Sequence, residues 1–378
     1  MPMETPLREQ HLRAGATLGV YFDCLLPERF SEPAAEYRLA RESVVLLDTN
    51  YHAFIYFEGP DRVRYLNAVL TNNVKDLVAG QGNVSLLLNP QGHILAEIEI
   101  YALEEGLLAV SHAAARERTA ATLDKFIIMD DVAMDDATDR TGSLALAGPQ
   151  AAAVLRQLCG LEFESIAPGS HSETLIAKVP CRALRKTFFG GTGVELIALR
   201  EHLAGLWSAL LAAVRAFGGG PIGYATLNSL RLESGVPWFG YDFDDKYIPH
   251  EAALESSHIS HTKGCYVGQE IVERVRSRGH VNRRRVGLQF SGPGAPAGGT
   301  KLLADGKEVG HVTSSAYSPA LDRPIGMGYV RREHNALGSR LQWSASEKNG
   351  EAEVIELPIV TVKTVQAAHL PEKPSVIT

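Results

Sequence analysis

The sequence has 378 residues, of which 45% are hydrophobic and 21% are charged, so the chain can bury a large core and is expected to form two or three domains. The formal net charge is -7 at pH 7, which disfavours a protein that binds nucleic acid over its whole surface but allows a local basic patch.

The first half of the chain predicts a lobe that mixes strands and helices. Alternating apolar residues predict strands, a Gly-Pro step is typical of a helix start, and the turn Asn89-Pro90-Gln91-Gly92 predicts a hairpin. In chain order the predicted elements are a strand at 53–58, a helix from Pro60, hairpin strands at 84–88 and 93–101, a strand at 107–111 and a helix at 113–126.

A second lobe is predicted next, with a helix begun by Gly148-Pro149, strands at 174–178 and 194–198 and a helix at 200–216. Gly218-Gly219-Gly220-Pro221 follows a helix and lacks the Lys-Ser/Thr ending of a phosphate loop, so we interpret it as a helix stop. From Arg283 onward, short alternating segments between Gly/Pro clusters predict a small terminal β-barrel.

The predicted fold class is therefore α+β, with three lobes of which the last is a C-terminal β-barrel. The predicted domains are 1–283, made of two interleaved α+β lobes, and 284–366, the barrel. Residues 367–378 are expected to form a loosely held tail.

The four cysteines lie far apart and form no Cys-x-x-Cys pair. This pattern predicts neither a disulfide framework nor a four-thiolate zinc site, so reduced thiols and a cytoplasmic location are expected. Residues 1–10 are polar, unlike a signal peptide, and no stretch approaches the roughly 20 apolar residues of a membrane span, so no membrane contact is expected. The cysteines are Cys24, Cys159, Cys181 and Cys265.

The densest group of chemically active side chains is the octapeptide Lys263-Gly264-Cys265-Tyr266-Val267-Gly268-Gln269-Glu270. A thiol beside a lysine and near a helix start would have a lowered pKa, because the ammonium and the helix dipole both stabilise the thiolate. Cys265 is therefore a candidate nucleophile, redox sensor or metal ligand, with Lys263 as the residue that lowers its pKa. The alternative is a structural cysteine in a small buried space.

This octapeptide, followed by Ile271-Val272-x-Arg274 and by Arg278-Gly279-x-Val281-x-Arg283-Arg284, resembles the defining motif of the YgfZ family. The resemblance implies a tetrahydrofolate-dependent protein that acts in the assembly or repair of iron–sulfur proteins, including enzymes that modify tRNA. It makes Cys265 the candidate reactive group and Arg274 a candidate for holding the acidic tail of the folate.

The resemblance extends over nearly the whole chain to the wider superfamily of the glycine cleavage T-protein, an aminomethyltransferase. It implies a T-protein-like fold with two lobes around a central pocket. Glu195 matches the glutamate that hydrogen-bonds the pterin of folate, as a carboxylate can bind two parallel donors, and Thr71 and Asn72 resemble residues lining the same pocket. The alternatives are an exposed strand carboxylate at Glu195 and a turn-capping asparagine. The matching blocks include 70–74, 88–92, 147–151, 190–195, 230–237, 240–242 and 312–319.

Several positions depart from the T-protein pattern. Ala96 stands where T-proteins carry an aspartate thought to activate the folate nitrogen, and strand alternation points Glu97 and Glu99 to the opposite face from Ala96. The T-protein reaction is therefore expected to be absent. Val84 replaces a usual tyrosine and His112 a usual asparagine, although His112 could still bind the pterin or be a structural histidine. Leu227 replaces a usual arginine.

Two further patterns surround Cys265. His258 and His261 with Cys265 have a spacing that a metal could use, but no fourth ligand is evident, so no metal site is predicted. The basic run 274–285 is interpreted as a solvated face or a contact for a small anion such as the folate tail. It lacks interleaved aromatic residues, so contact with tRNA is not expected.

The sequence thus predicts a tetrahydrofolate-binding protein that serves iron–sulfur cluster assembly or repair, with iron–sulfur clients or assembly proteins as partners. Two other hypotheses stay open. One is a folate-dependent aminomethyltransferase, which needs a carboxylate near the folate nitrogen. The other is a scaffold that has lost folate and acts through protein contacts.

Overall fold

The computed structural model describes residues 2–162, 165–292, 294–345 and 348–360. Two compact units are distinguished: the larger contains Met1–Leu227 and Trp238–Arg284, and the smaller contains Asn228–Pro237 and the residues from Arg285 onward. The domain boundaries predicted from the sequence stay predictions, and the predicted tail 367–378 lies outside the described residues.

Strands and helices alternate along most of the larger unit. The strands are β1 Met3–Glu4, β2 Thr17–Tyr21, β3 Cys24–Arg29, β4 Val45–Asp48, β5 His52–Glu58, β6 Gly82–Leu88, β7 Ile94–Ala102, β8 Leu107–His112, β9 Ala133–Asp136, β10 Thr141–Ala147, β11 His171–Ile176, β12 Val179–Phe188, β13 Gly191–Leu199 and β14 Gly220–Pro221. The helices are α1 Arg8–Arg13, α2 Pro33–Glu42, α3 Arg62–Val69, α4 Arg116–Phe126, α5 Ala151–Cys159 and α6 Leu203–Ala216, followed by α7 Tyr224–Glu233, which runs on into the smaller unit, and by α8 Glu255–His258 and α9 Gln269–Arg278.

Two sheets form the centre of the larger unit. One has the antiparallel order β6-β7-β8-β5-β9, and the other has the order β11-β12-β13-β10-β4-β14. Helices α3 and α4 cover the outer face of the first sheet, where Leu66 and Leu123 pack against Ile98. Helices α5 and α6 cover the outer face of the second, and the inner faces pack on each other through residues such as Phe54 and Ile197. The unit therefore has four layers, helix, sheet, sheet and helix.

The predicted hairpin is confirmed. Strands β6 and β7 pair antiparallel, and the turn closes with a bond from the Gly92 amide to the Asn89 carbonyl. Gly92 has a φ of 77°, which a glycine adopts without strain. Strand β7 alternates as expected, with Ile94, Ile98 and Ile100 buried, so its two faces differ sharply in polarity.

The glycine-rich segment after α6 ends the helix, as the sequence predicts. Gly218 has a φ of 73°, and the Gly219 amide donates to the Val214 carbonyl. This is the pattern of a helix C-terminus. Gly220–Pro221 then pairs in parallel with β4.

The smaller unit confirms the predicted barrel. Its strands are β15 Arg283–Phe290, whose first two residues belong to the larger unit, β16 Lys301–Ala304, β17 Lys307–Ser318, β18 Arg323–Arg331, β19 Arg340–Ala345 and β20 Lys348–Ile355. They close in the order β15-β18-β17-β16-β19-β20 around a core that includes Leu288, Val312 and Trp343. No helix in the described part of the chain is long and apolar enough to cross a membrane.

Candidate functional site

Polar side chains enter the space between the two sheets of the larger unit. His52 lies on β5, Glu99 on β7, Lys186 on β12 and Glu195 on β13. Buried polar groups are costly unless they are paired, and these are paired with one another. The inner layer therefore holds an ion-pair network within an otherwise apolar interface.

Glu195 is at the centre of this network and has 0% exposed surface. Its Oε1 lies 2.7 Å from His52 Nδ1, and its Oε2 accepts from Lys186 Nζ. Burial alone would raise the pKa of Glu195, but the charges and hydrogen bonds of His52 and Lys186 outweigh it and hold the pKa below its usual range. The alternative of an exposed strand carboxylate is excluded.

Lys186 joins Glu195 to a second carboxylate. Its Nζ lies 2.8 Å from Glu99 Oε2, and the Tyr101 hydroxyl donates to the same oxygen at 2.6 Å. Although burial alone would lower the pKa of Lys186, the charges of Glu195 and Glu99 raise it well above its usual value. Lys186 is therefore a largely covered ammonium that pairs with carboxylates from both sheets.

A cavity of about 290 Å³ opens beside this network. Its lining includes Val84, Glu99, Tyr101, Lys186 and Thr192. Val84, where T-proteins usually have a tyrosine, thus lines the cavity. Since Glu99 and Tyr101 share one face of β7 with Glu97, this face of the strand is the polar one.

Glu97 contacts two histidines on that face. Its Oε1 lies 2.9 Å from His258 Nε2, and its Oε2 lies 3.5 Å from His112 Nε2. Burial would raise the pKa of Glu97, but the hydrogen bonds from His112 and His258 hold it below its usual range. Burial in turn lowers the pKa of His112 despite the neighbouring carboxylate. Glu97 is thus ionised, and His112 is neutral at pH 7.

His112 also has a free nitrogen. Its Nδ1 is buried and has no hydrogen-bond partner among the described residues. Because Nε2 faces Glu97, the proton of the neutral ring lies on Nε2, and Nδ1 keeps its lone pair. A carboxylate that fixes the tautomer of a histidine is the arrangement of a general base.

Ala96 points away from this cluster. It is fully buried and packs with Leu66 and Leu123 under the covering helices. A carboxylate at this position would lie in an apolar core. Glu97 lies on the opposite face, as alternation predicts, and it shares that face with Glu99 and Tyr101, which line the cavity. The expectation that the alanine removes the proton-exchanging carboxylate, and with it the T-protein reaction, stays a prediction.

Thr71 and Asn72 use their polar groups within the protein. The Thr71 hydroxyl donates to the His258 carbonyl at 2.7 Å and accepts from the Leu86 amide at 2.8 Å. The Asn72 side-chain amide donates to the Val84 carbonyl at 2.8 Å. Both residues thus fix backbone segments around the cavity, and their contact with a pterin stays a prediction.

Cys265 lies exposed on the loop before α9. The loop is held by Lys263, whose Nζ donates to the carbonyls of Asn67, Leu70 and Asn72 at the end of α3. Burial lowers the pKa of Lys263 to about 8. The alternative of a buried structural cysteine is excluded, while a role of Lys263 in lowering the thiol pKa stays a prediction.

Helix α9 begins against the hairpin turn. Gly268 has a φ of 81°, and a Cβ there would lie 2.7 Å from the Asn89 carbonyl oxygen. Only glycine allows this close approach. The second glycine of the octapeptide therefore fixes the octapeptide to the end of the β6–β7 hairpin.

The histidines near Cys265 contact different carboxylates. His258 contacts Glu97, whereas His261 Nδ1 lies 3.2 Å from Glu273 Oε1. No group of three or more histidine, cysteine or acidic residues in the described ranges is arranged to hold a metal ion.

Much of the basic run is paired within the protein. Arg283 Nε lies 2.9 Å from Glu251, and Arg284 Nη2 lies 2.9 Å from Glu255. Arg274 is exposed on α9, so its predicted contact with an anion stays a prediction.

Two family models match the chain: the GCVT N-terminal domain over residues 7–258 and the glycine cleavage T-protein C-terminal barrel domain over residues 283–360. The chain belongs to the glycine cleavage T-protein family. The T-protein-like α+β fold with a C-terminal barrel and the membership of the wider superfamily are thereby confirmed. Assignment to the YgfZ branch of that superfamily stays a prediction.

Members of the T-protein family resemble this chain over nearly its full length. The aminomethyltransferase of Geobacillus kaustophilus is 29% identical over 95% of this chain and 98% of its own. That of Streptomyces coelicolor is 31% identical over 89% and 91%. The crystal structure of the glycine cleavage system aminomethyltransferase T from Bartonella henselae superposes with a TM-score of 0.87 at 27% identity, covering 95% of this chain and 98% of that one.

Sequence reasoning missed several residues of the site. The sequence analysis concluded that Glu97 could not replace the aspartate, and it did not identify His52 or Lys186. A signal was available on β7, where Glu97 and Glu99 interrupt an otherwise apolar strand at a spacing of two. Charged residues at that spacing mark a polar face. For Lys186 and His52 no comparable pattern exists, because their partners come from distant strands.

Proposed function

We propose that this member of the T-protein family transfers a one-carbon unit from an aminomethylated donor to tetrahydrofolate, with Glu97 and His112 handling the proton. The observation that carries the proposal is the contact between the Glu97 carboxylate and His112, whose Nδ1 is buried and without a partner in the described structure. The similarity to aminomethyltransferases over nearly the whole chain supports the same reaction class.

The residues between the sheets fit a folate. A pterin presents an amino group and a ring N–H on one edge, and the Glu195 carboxylate can accept such a donor pair when its present partners give way. The neighbouring cavity is polar on the side of Glu99 and apolar at Val84, as a ligand with a flat ring requires. The unpartnered His112 Nδ1 is a polar atom that a ligand can satisfy. Bound tetrahydrofolate supplies the amine nitrogen that accepts the one-carbon unit.

His112 is the proton-exchanging residue in this proposal. Carbon transfer forms C–N bonds to the folate and breaks the C–N and C–S bonds of the donor, so the accepting amines lose protons and the departing ammonia and carrier thiol gain them. Neutral His112 takes the proton on Nδ1, and Glu97 stabilises the imidazolium that forms, so the carboxylate and the imidazole act together. His258 is a positioning residue, because it holds Glu97 from the other side at 2.9 Å.

Turnover with an aminomethylated lipoyl carrier protein and tetrahydrofolate tests the proposal. We expect ammonia release that requires tetrahydrofolate and that falls strongly in Glu97→Gln. A protein that binds tetrahydrofolate in titration calorimetry but releases no ammonia from this donor would contradict aminomethyl transfer. A protein that binds no folate would leave the scaffold hypothesis standing.

The second candidate function is the iron–sulfur role that the YgfZ resemblance implies, with iron–sulfur clients or assembly proteins as partners in the cytoplasm. The observation that favours it is the exposed Cys265 thiol on a loop that Lys263 ties to α3. The test is rescue of a bacterial strain that lacks its own family member. Failure of Cys265→Ala to rescue, with carrier turnover intact, supports this role, whereas full rescue by the variant counts against it.

A further inference from the structure

Lys186 stands between Glu195 and the cavity. The cavity is lined by Lys186 and Glu99, whereas Glu195 has no exposed surface. The Lys186 ammonium bonds to Glu195 Oε2 and lies 2.8 Å from Glu99 Oε2. A ligand in the cavity therefore meets the ammonium before it can reach the Glu195 carboxylate.

Both oxygens of Glu195 are in use. Oε1 pairs with His52 at 2.7 Å, and Oε2 pairs with Lys186. A ligand edge with two parallel N–H donors needs both oxygens of a carboxylate in one plane. Contact with Glu195 in this manner thus competes with both partners, His52 at Oε1 and the ammonium at Oε2, and of these two the ammonium lines the cavity.

Glu99 gives the ammonium a place to go. A buried charge that loses its partner is strongly destabilising, so Lys186 could not leave Glu195 if no second carboxylate were near. Glu99 is within 2.8 Å, and its oxygen is held in place by the Tyr101 hydroxyl at 2.6 Å. The lysine can therefore be displaced without losing its ion pair.

We propose that Lys186 guards Glu195: a ligand with a paired-donor edge displaces the ammonium from Oε2, and Glu99 retains it. This inference rests on the proposed function, because it concerns the same folate site. Ligands with a single donor cannot replace the charged hydrogen bond that they break, so Lys186 makes the site selective for a 2-amino-4-oxo pyrimidine edge of the kind that pterins carry.

Titration calorimetry with tetrahydrofolate tests the guard. Lys186→Met removes the competitor and should tighten binding about tenfold, the equivalent of one charge-assisted hydrogen bond. Glu99→Gln removes the alternative partner and should weaken binding by about the same factor. In the double variant Glu99→Gln should have no further effect, because the lysine through which it acts is gone.

Two controls accompany the titration. Lys125→Met makes the same charge change on exposed α4 and should leave the affinity unchanged. p-Aminobenzoylglutamate lacks the pterin, so Lys186→Met should not alter its affinity. Equal or weaker tetrahydrofolate binding by Lys186→Met overturns the guard, as does equal tightening for p-aminobenzoylglutamate.

Glu99→Gln keeps the test decisive if Lys186→Met does not fold. A thermal melt checks each variant first, since Lys186→Met leaves two carboxylates facing each other. With Glu99→Gln alone, weaker binding supports the guard and equal or tighter binding overturns it. If neither the wild type nor any variant binds tetrahydrofolate, both the proposed function and the guard are contradicted. If the wild type binds and only the predicted changes are missing, the guard alone fails.

Discussion

His258 Nε2 lies 2.9 Å from Glu97 Oε1, so the segment that precedes the Cys265 loop is bonded to the carboxylate on β7. The carbonyl of the same histidine accepts from Thr71, which is bonded in turn to β6. His258 thus contacts β7 through its ring and the segment after α3 through its carbonyl.

Glu97→Gln is expected to lower kcat by about 10²- to 10⁴-fold, the usual contribution of general acid–base catalysis. It should also change the pH profile. Burial lowers the pKa of His112, and Glu97 opposes that shift, so loss of the carboxylate lowers the pKa further. Since neutral His112 is the active form, the acid limb of kcat/KM should move to lower pH.

The control for this variant is Glu58→Gln, at the exposed end of β5, which should keep the wild-type profile. An acid limb that stays in place in Glu97→Gln would show that Glu97 does not set the protonation of the catalytic group.

The contrast between Ala96 and Glu97 shows what the sequence could and could not predict. Alternation places the two side chains on opposite faces of β7, and this was correct. Which face of β7 borders the cavity depends on which elements pack against each face. Helices α3 and α4 cover the Ala96 face, and that packing is a long-range property that strand periodicity does not contain.

Strand β12, Val179–Phe188, was not predicted from the sequence. Its residues Arg182, Arg185 and Lys186 give it a polar composition, which weakens the apolar signal of a strand. The pairing of Lys186 with Glu99 joins two different sheets, and no local sequence pattern indicates it. By contrast, the β6–β7 hairpin and the barrel rest on turn residues and local alternation, and both are predictable for that reason.

Asp48→Asn is expected to destabilise the protein by about 1–3 kcal/mol at pH 7, because buried donors that bond to the carboxylate lose their acceptor. Asp48 Oδ2 lies 2.6 Å from His11 Nε2, and both side chains are fully buried. Burial would raise the pKa of Asp48, but the hydrogen bond and charge of His11 lower it below its usual value. This stabilisation is present above the pKa of an unfolded aspartate and is lost as the pH falls through the lower folded pKa.

Urea unfolding at several pH values measures this effect. The wild type should lose stability below about pH 4, where an unfolded aspartate takes up its proton, and Asp48→Asn should lose less over the same range. The exposed pair of Arg13 and Glu9 is the control, and Glu9→Gln should change stability by no more than about 1 kcal/mol. Equal acid sensitivity of Asp48→Asn and wild type would contradict the assignment.

Lys263→Met should cost about 1–3 kcal/mol of stability, because three backbone carbonyls at the α3 end lose a donor. In the wild type the Lys263 ammonium donates to the carbonyls of Asn67, Leu70 and Asn72. A lower thermal midpoint than in the matched exposed variant Lys125→Met is the expected result. Equal midpoints for the two variants would mean that Lys263 does not anchor the loop.

Iodoacetamide at pH 8 should alkylate Cys265 well before Cys24 and Cys181. Cys265 is exposed, whereas burial raises the pKa of Cys24 and of Cys181 to about 12, so their thiolate fraction is very small. Mass spectrometry of digests taken over time gives the order. Unfolding in urea should make the three thiols react alike, and early labelling of Cys24 or Cys181 in the folded protein would contradict the buried positions.

The most direct measurement is ammonia release from an aminomethylated lipoyl carrier protein, with tetrahydrofolate, by the wild type and by His112→Ala with and without added imidazole. We expect turnover by the wild type, a loss of about 100-fold or more in His112→Ala and partial recovery with imidazole, which replaces the missing base. Full activity of His112→Ala without imidazole, or no turnover by a wild type that binds tetrahydrofolate, would contradict proton exchange at His112 as the basis of the reaction.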